Sequence, residues 1–196
     1  MKSYPSITKN VIDSSVYLWD KLDGSNIRAE YTPKNGFYKF GSRHVLIDEK
    51  TPVFGESIEL IKQVEPLLVE IFKEQHYSNV VAFFEFFGEN SFAGLHQKEP
   101  HQIKLIDINV SKIGILDTRE FNKLFKYTGL LPKLLHVGKV NETIINAVKE
   151  SKLEGMTFEG VVAKSNEGMF KIKSNAWLDK LKNYCKDDEK LYRNLE

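Results

Sequence analysis

The stretch NVVAFFEFFGENSF, residues 79–92, constrains the fold more than any other part of the chain. Its aromatic and β-branched residues run almost unbroken, which marks a strand buried on both faces. Such a strand needs partners, and the sequence supplies them. Residues 16–22 carry Val, Tyr, Leu and Trp in strand-like density. Residues 27–43 read as a hairpin, with Pro33, Asn35 and Gly36 at its turn. IKLIDINV, residues 103–110, is a further strand, and LLHVGKV, residues 134–140, a short one. FEGVVAK and GMFKIKS form a hairpin around residues 166–168.

Helical spacing appears between these strands. Leu60, Ile61, Val64, Leu68, Ile71 and Phe72 recur at helical intervals over residues 56–75, where Pro66 is expected to interrupt the helix and open a second one. Residues 117–129 form a helix with Asp117 or Thr118 as cap and Gly129 as stop, and residues 141–151 a capped helix. From residue 175 to residue 196 the pattern is one charged amphipathic helix. The order of elements predicts an α+β fold, mainly antiparallel sheets with flanking helices. No linker or repeat divides the 196 residues, so a single domain over 1–196 is expected, ending in the 175–196 helix with no separate C-terminal domain evident.

The net charge of +1 means that any nucleic-acid surface is a local patch. Cys185 is the only cysteine, which excludes an intrachain disulfide and a cysteine-rich zinc site. The five histidines show no zinc-like spacing; His44 follows Arg43, while His76, His96, His101 and His136 read as structural or surface residues. MKSYPSITKN lacks the apolar stretch of a secretory signal, and no run approaches the ~20 apolar residues of a membrane helix. No membrane partner and a cytoplasmic location (or nucleoplasm, or the cytosol of a virus's host) are expected.

Four places carry residues suited to chemistry. In MFKIKS, strand alternation puts Lys171 and Lys173 on one face and Phe170 and Ile172 on the other. Two ammonium groups so close either line a solvated edge or meet an anion. Glu85 sits in a run too apolar for a surface strand, where an unpaired carboxylate costs several kcal/mol. It is either half of a structural ion pair or a pocket-wall group for ribose hydroxyls or a cation. Phe83, Phe84, Phe86 and Phe87 around it are core residues first. Glu159 shares a face with Val161 and Ala163, opposite Val162 and Lys164; it is a surface glutamate or a ligand for a hard cation such as magnesium. Lys21 shares its strand face with Tyr17 and Trp19, and burial beside other cations lowers a lysine's pKa and makes it a nucleophile. Asp23-Gly24 supplies a turn that holds Lys21 at a pocket rim.

In chain order the set is Lys21-Leu22-Asp23-Gly24, Gly41-Ser42-Arg43, Phe84-Glu85-Phe86-Phe87-Gly88, Glu159-Gly160-Val161-Val162-Ala163-Lys164 and Lys171-Ile172-Lys173. This order resembles the covalent nucleotidyltransferase superfamily of ATP-dependent RNA and DNA ligases and mRNA capping enzymes. KLDGSN, GSR and EGVVAK look most like the RNA-ligase branch. The resemblance runs from about Lys21 to Lys173. It implies the ligase adenylation fold around a nucleotide pocket, and an ATP-dependent RNA ligase or its adenylyltransferase core. By the resemblance, Lys21 attacks the α-phosphate of ATP and becomes lysyl-AMP. AMP then passes to the 5′-phosphate end of an RNA, and a 3′-hydroxyl displaces it. Lys171 and Lys173 neutralise phosphate oxygens, Glu159 serves the metal (Mg2+ or Mn2+), and Glu85 holds the ribose. Arg43 contacts ribose or phosphate, and Leu22, Asn26, Arg28, Val161 and Lys164 belong to the nucleotide site. DNA ligase, capping-type guanylyltransferase and a non-catalytic nucleotide- or nucleic-acid-binding module are the alternatives.

Two departures from the family pattern stand out. Strand 103–110 offers Ile103 and Leu105 where RNA ligases often stack an aromatic on adenine. The chain also ends soon after Lys173, so the expectation is either a catalytic core with a separate substrate-binding domain or subunit as partner, or a minimal ligase. The helix that follows carries Lys180, Lys182 and Lys186, read as a solvated face beside Asp179, Asp187 and Asp188 before a phosphate contact.

Overall fold

A computed structural model describes residues 1–89, 91, 98–186 and 188–195. Expectations that fall on Asn90, Phe92, His96, Asp187 and Glu196 lie outside the described residues. In chain order the elements are β1 (Val16–Lys21), β2 (Ser25–Thr32), β3 (Gly36–Gly41), β4 (Leu46–Ile47), α1 (Gly55–Glu74), β5 (Val80–Phe87), β6 (Gln102–Val110) and β7 (Gly114–Ile115). Then come α2 (Thr118–Phe125), β8 (Leu134–Gly138), α3 (Glu142–Lys149), β9 (Gly160–Ser165), β10 (Gly168–Lys173), α4 (Asn175–Cys185) and α5 (Glu189–Leu195). Two compact units divide these elements. One holds residues 1–5, 24–89 and 99–131, and the other residues 6–23, 90–98 and 132–196.

The first unit is built on a six-stranded antiparallel sheet in the order β4-β3-β2-β5-β6-β7. Strand alternation sends Ile27, Ala29, Tyr31, Ala82, Phe84, Phe86, Leu105 and Ile108 to one face, where they pack with Ile58, Ile61, Leu68 and Phe72 of α1 and Phe121 and Phe125 of α2. The central strand β5 is covered on both faces, as its composition requires. Phe83 points away from that core, is fully buried, and meets the Tyr4 ring at 5.1 Å.

Pro66 does not divide α1, which runs unbroken for 20 residues. Proline costs a helix interior about 3 kcal/mol, but burying Ile58, Ile61, Leu68 and Phe72 on one face stabilises the continuous helix by ~2 kcal/mol each. Packing on both sides of the proline outweighs the lost hydrogen bond.

The second unit carries a four-stranded antiparallel sheet in the order β10-β9-β1-β8. Val16, Leu18, Val161, Ala163, Phe170 and Ile172 form its core face, against Val148 of α3. The C-terminal segment is two helices, not the single expected one. At Lys186 the chain takes φ +50°, which ends α4, and the Asp188 carboxylate accepts from the Leu191 backbone N–H at 2.9 Å to cap the next helix. No helix among the described residues is long and apolar enough to cross a membrane.

Candidate functional site

The register of the second unit decides which side chains share its open face. Lys21 pairs with Gly160, and Gly160 with Lys173, so these three form one row. Trp19, Val162 and Lys171 form the next row on that face, and Tyr17, Lys164 and Met169 the third. Lys21, Lys164, Lys171 and Lys173 therefore stand on one side of the sheet with Tyr17 and Trp19. The Tyr17 and Trp19 rings stack at 6.5 Å. The Trp19 indole N–H is buried and has no hydrogen-bond partner among the described residues.

Glu159 is the anion of this face. Its Oε2 accepts from Lys21 Nζ at 2.8 Å, and its Oε1 lies 3.0 Å from Lys173 Nζ. The carboxylate is 4% exposed and the Lys173 side chain 7%, while Lys21 keeps 20%. Burial pushes the Lys173 pKa down to about 8; the Glu159 carboxylate opposes this, and the Lys21 and Lys171 cations add to it. Simple alternation puts Glu159 on the core face with Val161 and Ala163, and the structure corrects that expectation. Gly160 takes φ +140°, which breaks the pleat and turns Glu159 toward the lysines. A Cβ at Gly160 would collide with the Ile172 carbonyl oxygen and lie 2.8 Å from Lys173 Cα, so only glycine lets β9 and β10 approach there.

Backbone clamps fix this corner. The Ser174 hydroxyl donates to the Phe158 carbonyl at 2.6 Å, and the Ser174 N–H donates to the Glu159 carbonyl at 2.9 Å. Ser174 also caps α4 by accepting from the Trp177 N–H at 3.1 Å. Sequence reasoning missed Ser174, although a serine directly before a helical run is a cap signal. Val161 is fully buried in the sheet core, so Val162 rather than Val161 stands on the face of Lys21. Leu22 is buried directly after β1.

In the first unit, Asn26, Glu85 and Lys104 form one cross-strand row, and Arg28, Phe83 and Asp107 the next, both on the face opposite the core. Both polar atoms of the Asn26 amide are buried without a hydrogen-bond partner among the described residues. An amide so placed is costly unless a ligand satisfies it. Arg28 donates from Nη1 to Ser3 Oγ at 2.9 Å and to the Lys2 carbonyl at 3.2 Å, while its Nε is buried without a partner among the described residues. Tyr4 donates from its hydroxyl to Asp107 at 3.0 Å, and burial raises the pKa of this tyrosine, helped by Asp107 and Glu85. No local pattern in the first residues announces these contacts. Ile103 and Leu105 pack into the core of this unit rather than on the face of Asn26 and Glu85, so neither takes the place of a stacking aromatic there. Arg43 is exposed in the turn between β3 and β4.

Among the described residues no three His, Cys, Asp or Glu side chains gather as a metal cluster. A buried single carboxylate such as Glu159 fits a magnesium-like ion that takes its other ligands from substrate phosphates and water.

A family model described as RNA ligase matches residues 14–180. No curated protein matches the sequence. Among solved structures, the Naegleria gruberi RNA ligase with pyrophosphate aligns with a TM-score of 0.66 and 20% identity, over 87% of this chain and 52% of that one. A mutant of the same ligase with AMP and manganese aligns with a TM-score of 0.65 and 19% identity, over 86% and 52%. A Naegleria gruberi RNA ligase described as R4a, without ligand, aligns at 0.61 and 19%, over 90% and 59%. These likenesses bear out the expected α+β ligase fold, and the chain spans about half the length of the ligases it matches. With the family model covering most of its length, the chain belongs to the RNA ligase family.

Proposed function

We propose that the chain is the nucleotidyl-transfer core of an ATP-dependent RNA ligase, with Lys21 as the nucleophile. The observation that carries this reading is the contact of Lys21 Nζ with the buried Glu159 carboxylate, which also holds Lys173. An ordinary surface lysine has no need of such a setting. The AMP- and manganese-bound relatives support ATP and a divalent cation as the reactants.

Lys21 Nζ forms a bond to the α-phosphorus, the bond from that phosphorus to the β-phosphate oxygen breaks, and pyrophosphate leaves. Glu159 Oε2, at 2.8 Å from Lys21 Nζ, is in place to accept the proton that Lys21 gives up. Lys171 and Lys173 neutralise charge on the phosphate oxygens as the transition state forms. Glu159 would hold the divalent cation, which supplies Lewis-acid neutralisation of the α-phosphate when bound. Asn26, Arg28, Arg43 and Glu85 take nucleoside or phosphate contacts, and the unsatisfied Asn26 amide is the best supported of these. AMP then passes to the 5′-phosphate end of an RNA before a 3′-hydroxyl seals it.

The test is incubation with α-labelled ATP, and in parallel α-labelled GTP, with magnesium or manganese, followed by a denaturing gel. Label from ATP that Lys21→Ala abolishes is the expected result. Label from GTP alone points to capping chemistry. A folded protein, first stripped of bound AMP, that labels with neither nucleotide refutes the catalytic reading.

A further inference from the structure

We propose that Trp177 is a positioning residue for nucleotidyl transfer, its indole face holding the Lys173 ammonium in place; this role rests on the function proposed above. Lys173 Nζ lies 3.4 Å from the centroid of the Trp177 ring and 3.0 Å from Glu159 Oε1. The cation is thus gripped between a π face and a carboxylate. Almost no water reaches it, since its side chain is 7% exposed. In such a setting the negative face of an aromatic ring replaces part of the lost hydration.

Trp177 is itself fixed. It is 3% exposed and packs with Leu181 and Cys185 of α4 and with Phe158, the neighbour of Glu159. Its backbone N–H is held by Ser174 Oγ, and the Ser174 N–H and hydroxyl hold the Glu159 and Phe158 carbonyls. The ring, the carboxylate and the ammonium therefore rest on one braced corner. Lysine has a four-carbon stem with many rotamers, and a free one spends most of its time away from any single phosphate oxygen. Held by Trp177, Lys173 is already where the charge develops, so no reorganisation is needed at the moment of transfer. Packing alone distinguishes little between phenylalanine and leucine at this position, since the two are close in volume and both leave part of the indole's space empty, whereas only phenylalanine keeps a π face. The indole ring is the side chain with the strongest cation–π attraction.

The experiment uses the full chain with α-labelled ATP at saturation and a divalent cation. It compares single-turnover labelling by wild type, Trp177→Tyr, Trp177→Phe and Trp177→Leu, with Lys21→Ala as blank. In parallel, NMR of the lysine ε-methylene groups, assigned with Lys173→Arg, reads the ring directly. The expected result is an upfield ring-current shift of the Lys173 resonance that Trp177→Leu removes. Labelling slows about tenfold in Trp177→Leu and no more than about threefold in the Tyr and Phe variants, the scale of one desolvated cation–π contact. Equal slowing in all three variants, or full activity in Trp177→Leu, overturns the role. So does a wild-type spectrum in which no lysine ε-methylene resonance is strongly shifted upfield, an outcome that needs no folded variant. If the wild type takes up no label while the ring-current shift is present, the proposed function fails and takes this role with it, although the contact is real.

Discussion

Replacing Glu159 by glutamine keeps the shape of the side chain and removes its charge, so it isolates what the carboxylate does for the two lysines. Lys173 sets the scale. Its folded pKa is about 8 against an ordinary 10.5, so the folded protein releases this proton more readily than the unfolded chain, and stability climbs with pH between those values. Glu159 works against that by favouring the charged ammonium. Without it the folded pKa drops further, and Lys173 escapes the loss by becoming neutral. Discharging a lysine of pKa about 8 costs about 1 kcal/mol at pH 7, about 3 kcal/mol at pH 6, and close to nothing at pH 8 or above. This escape limits the Lys173 share of the damage. The Lys21 contact, one-fifth exposed on the lysine side, adds about 1 kcal/mol. Glu159→Gln is therefore expected to destabilise the protein by about 4 kcal/mol at pH 6, about 2 kcal/mol at pH 7 and about 1 kcal/mol at pH 8.5. Urea denaturation at those three pH values, in chelator so that no divalent cation intervenes, measures the penalty directly. A penalty that is constant across the range, or that grows with pH, refutes the reasoning.

Gly160→Ala is expected to cost about 2–4 kcal/mol in thermal denaturation, because φ +140° and the Ile172 carbonyl both oppose a Cβ. A variant as stable as wild type would mean that β9 and β10 do not meet closely there. Asn26→Ala is expected to leave the melting temperature of the nucleotide-free protein unchanged or raised, since its amide has no partner among the described residues to lose, while ATP-dependent labelling falls about tenfold. A large loss of stability would show instead that the amide serves the fold. His101 bridges the Glu56 carboxylate and the Glu89 carbonyl, each at 2.6 Å. Burial alone lowers the pKa of this histidine, but these two partners outweigh it and the net direction is up. The stabilisation is then complete below the ordinary value of about 6.5 and is lost as pH rises through the folded pKa. Denaturation of wild type and Glu56→Gln should diverge at pH 5.5 and converge at pH 8.5.

Where the chain keeps its pleat, the sequence is enough. Phe170 and Ile172 enter the core and Lys171 and Lys173 face away, because β10 pairs with β9 without a register shift. The same reasoning fails ten residues earlier. Glu159 looks like a neighbour of Val161 until the backbone at Gly160 is known, and a positive φ at glycine leaves no periodic trace. Pro66 fails differently: its local cost is legible, but the packing that overrides it depends on a core assembled from distant strands. Tyr4 and Asp107 lie 103 residues apart, and no local pattern links them.

The residues of the candidate site that the sequence hid share a physical character. Lys21, Glu159, Lys171 and Lys173 are legible because charge in a strand-forming stretch is conspicuous. Ser174 and Trp177 are not, because a serine before a helix and a tryptophan on its buried side are what any amphipathic helix contains. Their bearing on the site comes from the turn after β10. Lys173 ends the strand, Ser174 caps the helix, and one turn of α4 returns Trp177 over the lysine it follows by four residues. A strand that ends on a lysine and passes directly into a capped helix therefore supplies the cation and the surface that holds it within one short segment. That economy also makes a strong demand on the capping serine. Ser174→Ala removes the hydroxyl that holds both the Phe158 carbonyl and the Trp177 N–H, so it loosens the cation and the carboxylate together. Its effect on labelling should then exceed what a lost helix cap alone imposes.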